Sequence, residues 1–412
     1  MAWRISIGNL AQRAPRDPVA VSPAVSDSIL PLGNLATGQP DEQAAFEWRS
    51  DGVYKADLDL NLLSQTSSRS DAPTGWRDLL LLLAGTPGLS TNPPDWGTYA
   101  GRTALRFYRP VVQDIDVMPG EDMKLEAGLY LPAASTATAV RILVIDQWSG
   151  KGWDGGAWAS GGVVATQSSD DVWLVVSSTI TADTARTVRS TYRVVIEPVA
   201  TTYSATTYGY ASMNGTSGSP ALYAKADMAA FIGHNLPMGA TVTIGSEAIT
   251  LAPISCFTTF SAKFLQTWRL DIAMPAGNQL RPIIGEVWIG RAVTLTRGPQ
   301  DGVGLSDGDP FQIRVRGAAG RVDVLSDQFI PAQAYTLALR TITDQQYEEW
   351  KNTVTRATRF GVDPLLLLPD SNFEGSTRAI HGRVGAVISY TVQRPGFRSF
   401  TIEYAESPFA GA

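Results

Sequence analysis

Two histidines and one cysteine are all the imidazole and thiol that this chain of 412 residues carries. A Ser-His-Asp or Cys-His nucleophilic site needs one positioned imidazole. His234 stands between Gly233 and Asn235 in a turn-like stretch and reads as a loop residue that bonds backbone groups. His381 stands in an Ile-His-Gly-Arg run and reads as a strand-edge residue. Cys256 lies in the apolar Pro-Ile-Ser-Cys-Phe, a setting that raises a thiol pKa and suits a core residue. A single cysteine allows no disulfide within the chain and no Cys-rich zinc module.

Carboxylates supply the other raw material. Asp114, Asp116, Glu121, Asp122, Asp146 and Asp154 offer pairs that a glycosidase would need. So many acids always contain some suggestive pair, so no catalytic residue is assigned. Residues 301–309 (DGVGLSDGD) mix acids and glycines, but the spacing departs from the EF-hand ligand pattern and reads as a solvated turn. There is no P-loop, no His-Glu-x-x-His and no dinucleotide glycine fingerprint, and Gly285-x-x-x-x-Gly290-Arg lacks the Lys and hydroxyl residue of a phosphate cradle. The expectation is a chain without enzyme activity, cofactor or metal.

The strongest binding constellation is aromatic. Trp148, Trp153 and Trp158 fall within eleven residues of a Gly-rich stretch. Exposed at a hairpin tip, such rings would stack on sugar C–H faces while nearby Asp, Lys and Gln bonded the hydroxyls. The same rings would equally suit a subunit interface, where Trp is enriched. Trp96 and Tyr99, in Asp-Trp-Gly-Thr-Tyr, form a second pair of the same kind.

The elements that hold these residues are mostly strands. Apolar residues make up 44% of the chain and charged ones only 17%, against a usual ~25%. Gly, Thr, Ala, Ser and Pro fill the gap, as in many-stranded proteins with short turns. Alternating runs recur at 105–109, 123–131, 140–145, 171–176 and 191–196, which predicts an antiparallel sandwich or jelly roll. The run 76–83 is the single helix candidate there, although its leucines suit a strand as well. Residues 199–220 hold almost no aliphatic side chain and read as a linker. Pro15, Pro18, Pro23, Pro31 and Pro40 make residues 1–45 an extended arm. Its apolar Ile5, Ile29, Leu30, Leu32 and Leu35 need burial, on the chain's own surface or on a neighbouring subunit. Net charge is −6 with no basic run, so no nucleic-acid partner is expected. No signal peptide and no membrane span are expected either.

The last ninety residues carry a sharper pattern. Residues 334–340 (AYTLALR) alternate as a strand does, and Thr343-Asp-Gln-Gln346 is a capping-box signal. Tyr347, Trp350 and Val354 then share a helical face. An apolar strand at 364–370 (PLLLLPD) and an Ile-x-Gly-Arg strand at 380–384 follow. This order resembles the C-terminal domain of a group of bacteriophage tail and baseplate proteins. Residues 117–121 (VMPGE) and 192–198 (YRVVIEP) look like parts of jelly-roll carbohydrate-binding modules. Residues 232–237 (IGHNLP) and 284–290 (IGEVWIG) resemble a galactose-binding-like sandwich of phage tail proteins.

The resemblance implies a mainly β chain of tandem sandwiches: an arm at 1–45, a jelly roll at 46–205, a second galactose-binding-like sandwich at 206–300, and a small α+β domain at 301–412, either separate from the preceding sandwich or continuous with it. It implies a virion structural protein of a tail tip or baseplate, distal-tail-like or a minor tail protein, assembled in the bacterial host cytoplasm. Its partners would be other tail subunits, as a homo-oligomeric ring, and a host surface glycan. Distal tail proteins usually begin with a tube-like β-domain, whereas this chain begins with an arm, which leaves a peripheral, fibre-adaptor or capsid-surface place open. A sugar-binding host-recognition protein and a glycan-degrading tail enzyme are the alternatives.

Overall fold

A computed structural model describes residues 4–14, 26–30, 32–36, 43–63, 76–79, 94–183, 186–213, 220–296, 303–308, 313–316, 322–325, 332–359, 361–369, 378–385 and 389–407. The fold is mainly β, as the alternating runs predict, and its sheets are antiparallel. In the first sandwich, one sheet runs from the short hairpin Gly152–Trp153 and Trp158–Ala159 through Ala139–Asp146, Ser190–Val199 and Val111–Val117 to Arg77–Asp78. The other holds Trp173–Ile180, Met123–Tyr130, Gly209–Ser212, Arg102–Phe107 and Asp95–Tyr99. Alternation sends Val140, Ile142 and Val144 of one sheet and Leu125, Leu129 and Phe107 of the other into a shared core. The predicted helix at 76–83 differs at its start, where Arg77–Asp78 pairs as an edge strand; its leucines from 80 on lie outside the described residues.

The stretch 199–220 is more than a linker. Gly209–Ser212 is inserted between Arg102–Phe107 and Met123–Tyr130. It needs no aliphatic run, because Ala211 fills the inward position and Tyr210 faces out.

One long strand joins the two sandwiches. Residues 221–224 of Ala221–His234 pair with Met123–Tyr130, and residues 228–234 pair with Ile283–Gly290 and Ile254–Phe264. The sheet facing that second half is Glu247–Ile249, Thr241–Ile244, Thr267–Ala273 and Val53–Asp59. Val53–Asp59 falls within the stretch 46–205, yet it pairs along its whole length with Thr267–Ala273. Its buried face, Tyr54, Ala56 and Leu58, packs in one core with Trp268, Leu270 and Ile272.

The C-terminal sheet runs Val293–Thr294, Arg4–Ile7, Leu365–Leu368, Ile380–Val384, Phe397–Glu406, Ala332–Thr343 and Val303–Gly308. The capping box forms: the Thr343 hydroxyl accepts from the Gln346 N–H at 3.2 Å, and the Gln346 side chain accepts from the Thr343 N–H at 3.0 Å. The helix Asp344–Trp350 continues into wider π turns over Lys351–Arg356. Tyr347, Trp350 and Val354 are all buried, the first two edge-on to Phe400. The four consecutive leucines of Leu365–Leu368 have a physical reason. Leu365 and Leu367 face the helix core, while Leu366 and Leu368 pack with Trp288, Phe257 and Met228 of the second sandwich, so both faces of the strand are covered.

The start of the chain departs from an extended arm. Arg4–Ile7 is an interior strand that pairs with Leu365–Leu368 at four positions and with Val293–Thr294 on its other edge. Ile5 sits in the C-terminal core. Leu32 and Leu35 are buried too, whereas Ile29 and Leu30 are exposed. The prolines that suggested an arm all lie outside the described residues.

Candidate functional site

His234 and Cys256, far apart in sequence, meet in the second sandwich. Cys256 Sγ is 3.6 Å from His234 Nε2. His234 Nδ1 accepts the Leu236 N–H at 3.2 Å, which assigns the ring proton to Nε2, toward the sulfur. The imidazole therefore holds no free lone pair for the thiol. Burial pushes the Cys256 thiol up to about 11 and holds His234 down to about 4. A thiol and a neutral imidazole face each other, the reverse of an activated nucleophile.

His381 is buried rather than placed on a strand edge, and it faces a residue that sequence patterns passed over. Glu286 is fully buried, with Oε2 3.4 Å from His381 Nε2 and Oε1 accepting from Asn9 Nδ2 at 2.7 Å. The ring of His381 meets Trp288 edge-on, and Trp288 Nε1–H donates to Ser6 Oγ at 2.9 Å. This polar knot ties the N-terminal strand, the second sandwich and the C-terminal sheet together. The signal was a lone charge inside the apolar strand IIGEVWIG.

Desolvation pushes Glu286 up to about 8 and holds His381 down to about 3. Glu286 costs stability as pH rises from its ordinary 4.5 to about 8. The buried histidines cost stability as pH falls below their ordinary 6.5. Stability should therefore peak near pH 6.5 and fall by about 1 kcal/mol from there to pH 8, as the folded chain keeps a proton that the unfolded chain has released. Urea unfolding across that range measures the slope. Glu286→Gln should remove it; an unchanged slope in that variant would refute the assignment.

The candidate acids are held in ion pairs and turns. Asp114 binds Arg193 and Arg77, Asp116 binds Arg189, and Glu121 binds Arg13 at 2.7 Å. Asp122 faces Lys225. Asp146, buried, accepts from Ser149 and Ser190 hydroxyls. Asp154 accepts the Gly156 and Ala157 N–H groups, which lowers its pKa. Arg13, Arg77, Arg189 and Arg359 line a cleft of about 620 Å³ with Asp114, Asp116 and Asp363, between the first sandwich and the C-terminal unit. Among the described residues no group of His, Cys, Asp and Glu could hold a metal ion. The acids of 301–309 lie outside the residues whose side chains are described.

The three tryptophans do not form one exposed platform. Trp153 is only 2% exposed and belongs to the sandwich core, with Nε1–H donating to Ser178 Oγ at 3.2 Å. Trp158 is its cross-strand partner, 5.5 Å away edge-on, and packs on Tyr192. Trp148 alone is exposed, at 52%. The glycines explain the difference. A Cβ on Gly152 would lie 2.4 Å from the Gly162 carbonyl oxygen. The Gly-rich composition lets two backbones touch and fold the hairpin onto the core.

An aromatic face does exist, on the outer side of the other sheet. Strand register aligns Trp173, Tyr130, Tyr210, Arg106 and Asp95 across five strands. Tyr130 lies 5.1 Å from Trp173 and 5.9 Å from Tyr210, and Tyr210 stacks on Tyr99 at 4.4 Å. Tyr208 and Tyr108 extend the cluster. Arg106 bonds Asp95 through two nitrogens, at 2.9 and 2.7 Å, and Tyr99 donates to the same carboxylate at 3.0 Å. Burial pushes the Tyr210 hydroxyl up to about 12. Arg102 reaches across two strands to cover Trp173, 4.5 Å from its ring centre. Of the sequence candidates, Tyr99 belongs to this face. Trp96, one residue out of phase, packs against the core. Tyr130, Trp173, Tyr208 and Tyr210 were missed; the period-two spacing of Tyr208 and Tyr210 was the available signal.

No protein-family model matches the chain, and no curated protein matches it.

Proposed function

We propose that this chain is a structural protein of a bacteriophage tail tip or baseplate, a scaffold that works through interface geometry and not through bond chemistry. The observation that carries the reading is the C-terminal order of elements: strand Ala332–Thr343, the capped helix Asp344–Trp350, the leucine strand Leu365–Leu368 and the Ile-His-Gly-Arg strand Ile380–Val384. That order is the basis of the resemblance to tail and baseplate proteins. Rigidity supports it further. A scaffold must hold its neighbours at fixed angles, and units joined by a loose linker move by default. Here the strand Ala221–His234 is shared by two sheets, and Arg189 bridges Asp116 of the first sandwich to Asp363 of the C-terminal unit.

An apolar patch suits the contact between copies. Trp48 and Leu280 are exposed just beyond the bonded positions Phe46 and Pro282, and Ile29 is exposed beside the paired residue Ser28. Large exposed apolar side chains gathered at one place mark interaction sites. Light scattering of the purified chain should give a multiple of the 44.1 kDa protomer. The pair Trp48→Glu and Leu280→Glu should return a monomer with unchanged melting. A native chain that stays monomeric at every concentration would contradict the ring.

A further inference from the structure

We propose that the aromatic face of the first sandwich is a binding site for a neutral polysaccharide, laid across the strands along the row from Trp173 to Asp95. This goes beyond the scaffold reading and does not depend on it. The outer face of a sheet in water is ordinarily polar. Here it gathers one Trp and several Tyr, all only half-buried. Such side chains offer an apolar rim and a polar tip at once, the combination that a sugar ring presents in return with its C–H surface and hydroxyls.

Three further observations select the ligand. Charges on the face balance: Arg102, Arg106 and Lys124 stand with Asp95, Glu126 and Asp171, and two of these cations are already paired with Asp95 and Glu126. A phosphate backbone needs a net positive groove, so a nucleic acid is disfavoured and an uncharged, hydroxyl-rich chain fits. Next, Arg102 Nη1 is buried and has no hydrogen-bond partner in the protein. It lies over Gly128, where a Cβ would come within 3.3 Å of it and within 2.7 Å of Ser212 Oγ. A buried cationic N–H without an acceptor is costly, and a small outward turn of the guanidinium over Trp173 would let a ligand hydroxyl supply one. Finally, the bidentate Arg106–Asp95 pair is pre-ordered, with Tyr99 fixed on the same carboxylate. Planar groups held in this way bond adjacent hydroxyls without first paying ordering entropy.

The test uses the full chain and four defined probes: maltohexaose, cellohexaose, chitohexaose and xylohexaose. Binding is followed by tryptophan fluorescence and by calorimetry. At least one probe should give a saturable signal. Trp173→Ala and Tyr210→Ala should each weaken it at least tenfold, and Trp148→Ala should leave it unchanged. Tyr210→Phe, which keeps the ring, should melt like the native chain and lose only a fewfold in affinity. Silence of all four probes overturns the proposal and leaves the face to a protein partner. So does binding that survives Tyr210→Ala. Neither result touches the oligomer measurement above.

Discussion

A chain that begins at residue 10 should fail to fold its C-terminal unit. The four residues Arg4–Ile7 complete an interior strand, pairing with Leu365–Leu368 on one side and Val293–Thr294 on the other. Removing them opens two ladders and empties the Ile5 site, which alone is worth about 2–5 kcal/mol. The same cut takes away Asn9, whose amide bonds Glu286 Oε1 and the Val287 carbonyl, and Ser6, the partner of Trp288. Leaving Glu286 and Trp288 buried without these hydrogen-bond partners costs about 1–3 kcal/mol each, and whole domains hold only about 5–15 kcal/mol. The truncated chain should therefore express as aggregate or lose its cooperative transition in circular dichroism. Melting close to that of the full chain would mean that the first strand is dispensable.

Gly382→Val should be nearly as damaging. Gly382 sits in the Ile-His-Gly-Arg strand, and a Cβ there would lie 2.1 Å from the Ala405 carbonyl oxygen of the neighbouring strand. That obstacle is backbone, so it cannot swing aside as a side chain would. Ile380–Val384 is held between Leu365–Leu368 and Phe397–Glu406, so the strand must separate from one of them. The expected loss is more than about 3 kcal/mol, at the upper end of what overpacking costs, read as a fall in the urea midpoint. An unchanged midpoint would show that the two strands stand further apart. The glycine in this motif is therefore a packing requirement, which does not depend on any ligand.

Local patterns carried much of the fold. Alternating runs marked the sandwich strands because one face of each is buried, and the Thr343–Gln346 spacing marked the capped helix because its two hydrogen bonds are short-range. Distant partners were not legible. Nothing near Val53–Asp59 says that Thr267–Ala273 will lie beside it. Nothing near Ile5 says that the strand beside it lies some 360 residues on. Proline density drew attention to the arm and away from the proline-free first fourteen residues.

The candidate site was less legible, for a related reason. Clustering in sequence favoured Trp148, Trp153 and Trp158, but hairpin folding turned two of them toward the core. The aromatic face instead takes one or two residues from each of five strands, and only register brings them together. The weak aliphatic content that made 199–220 look like a linker is what a strand with a tyrosine-bearing outer face requires.

The measurement that bears most directly on the central claim is imaging of virus particles with a gold-labelled antibody raised against this chain. A tail-tip or baseplate scaffold predicts label at the end of the tail distal to the head, in a fixed number per particle. Purified particles that carry no label, or that carry it on the head alone, would contradict the account.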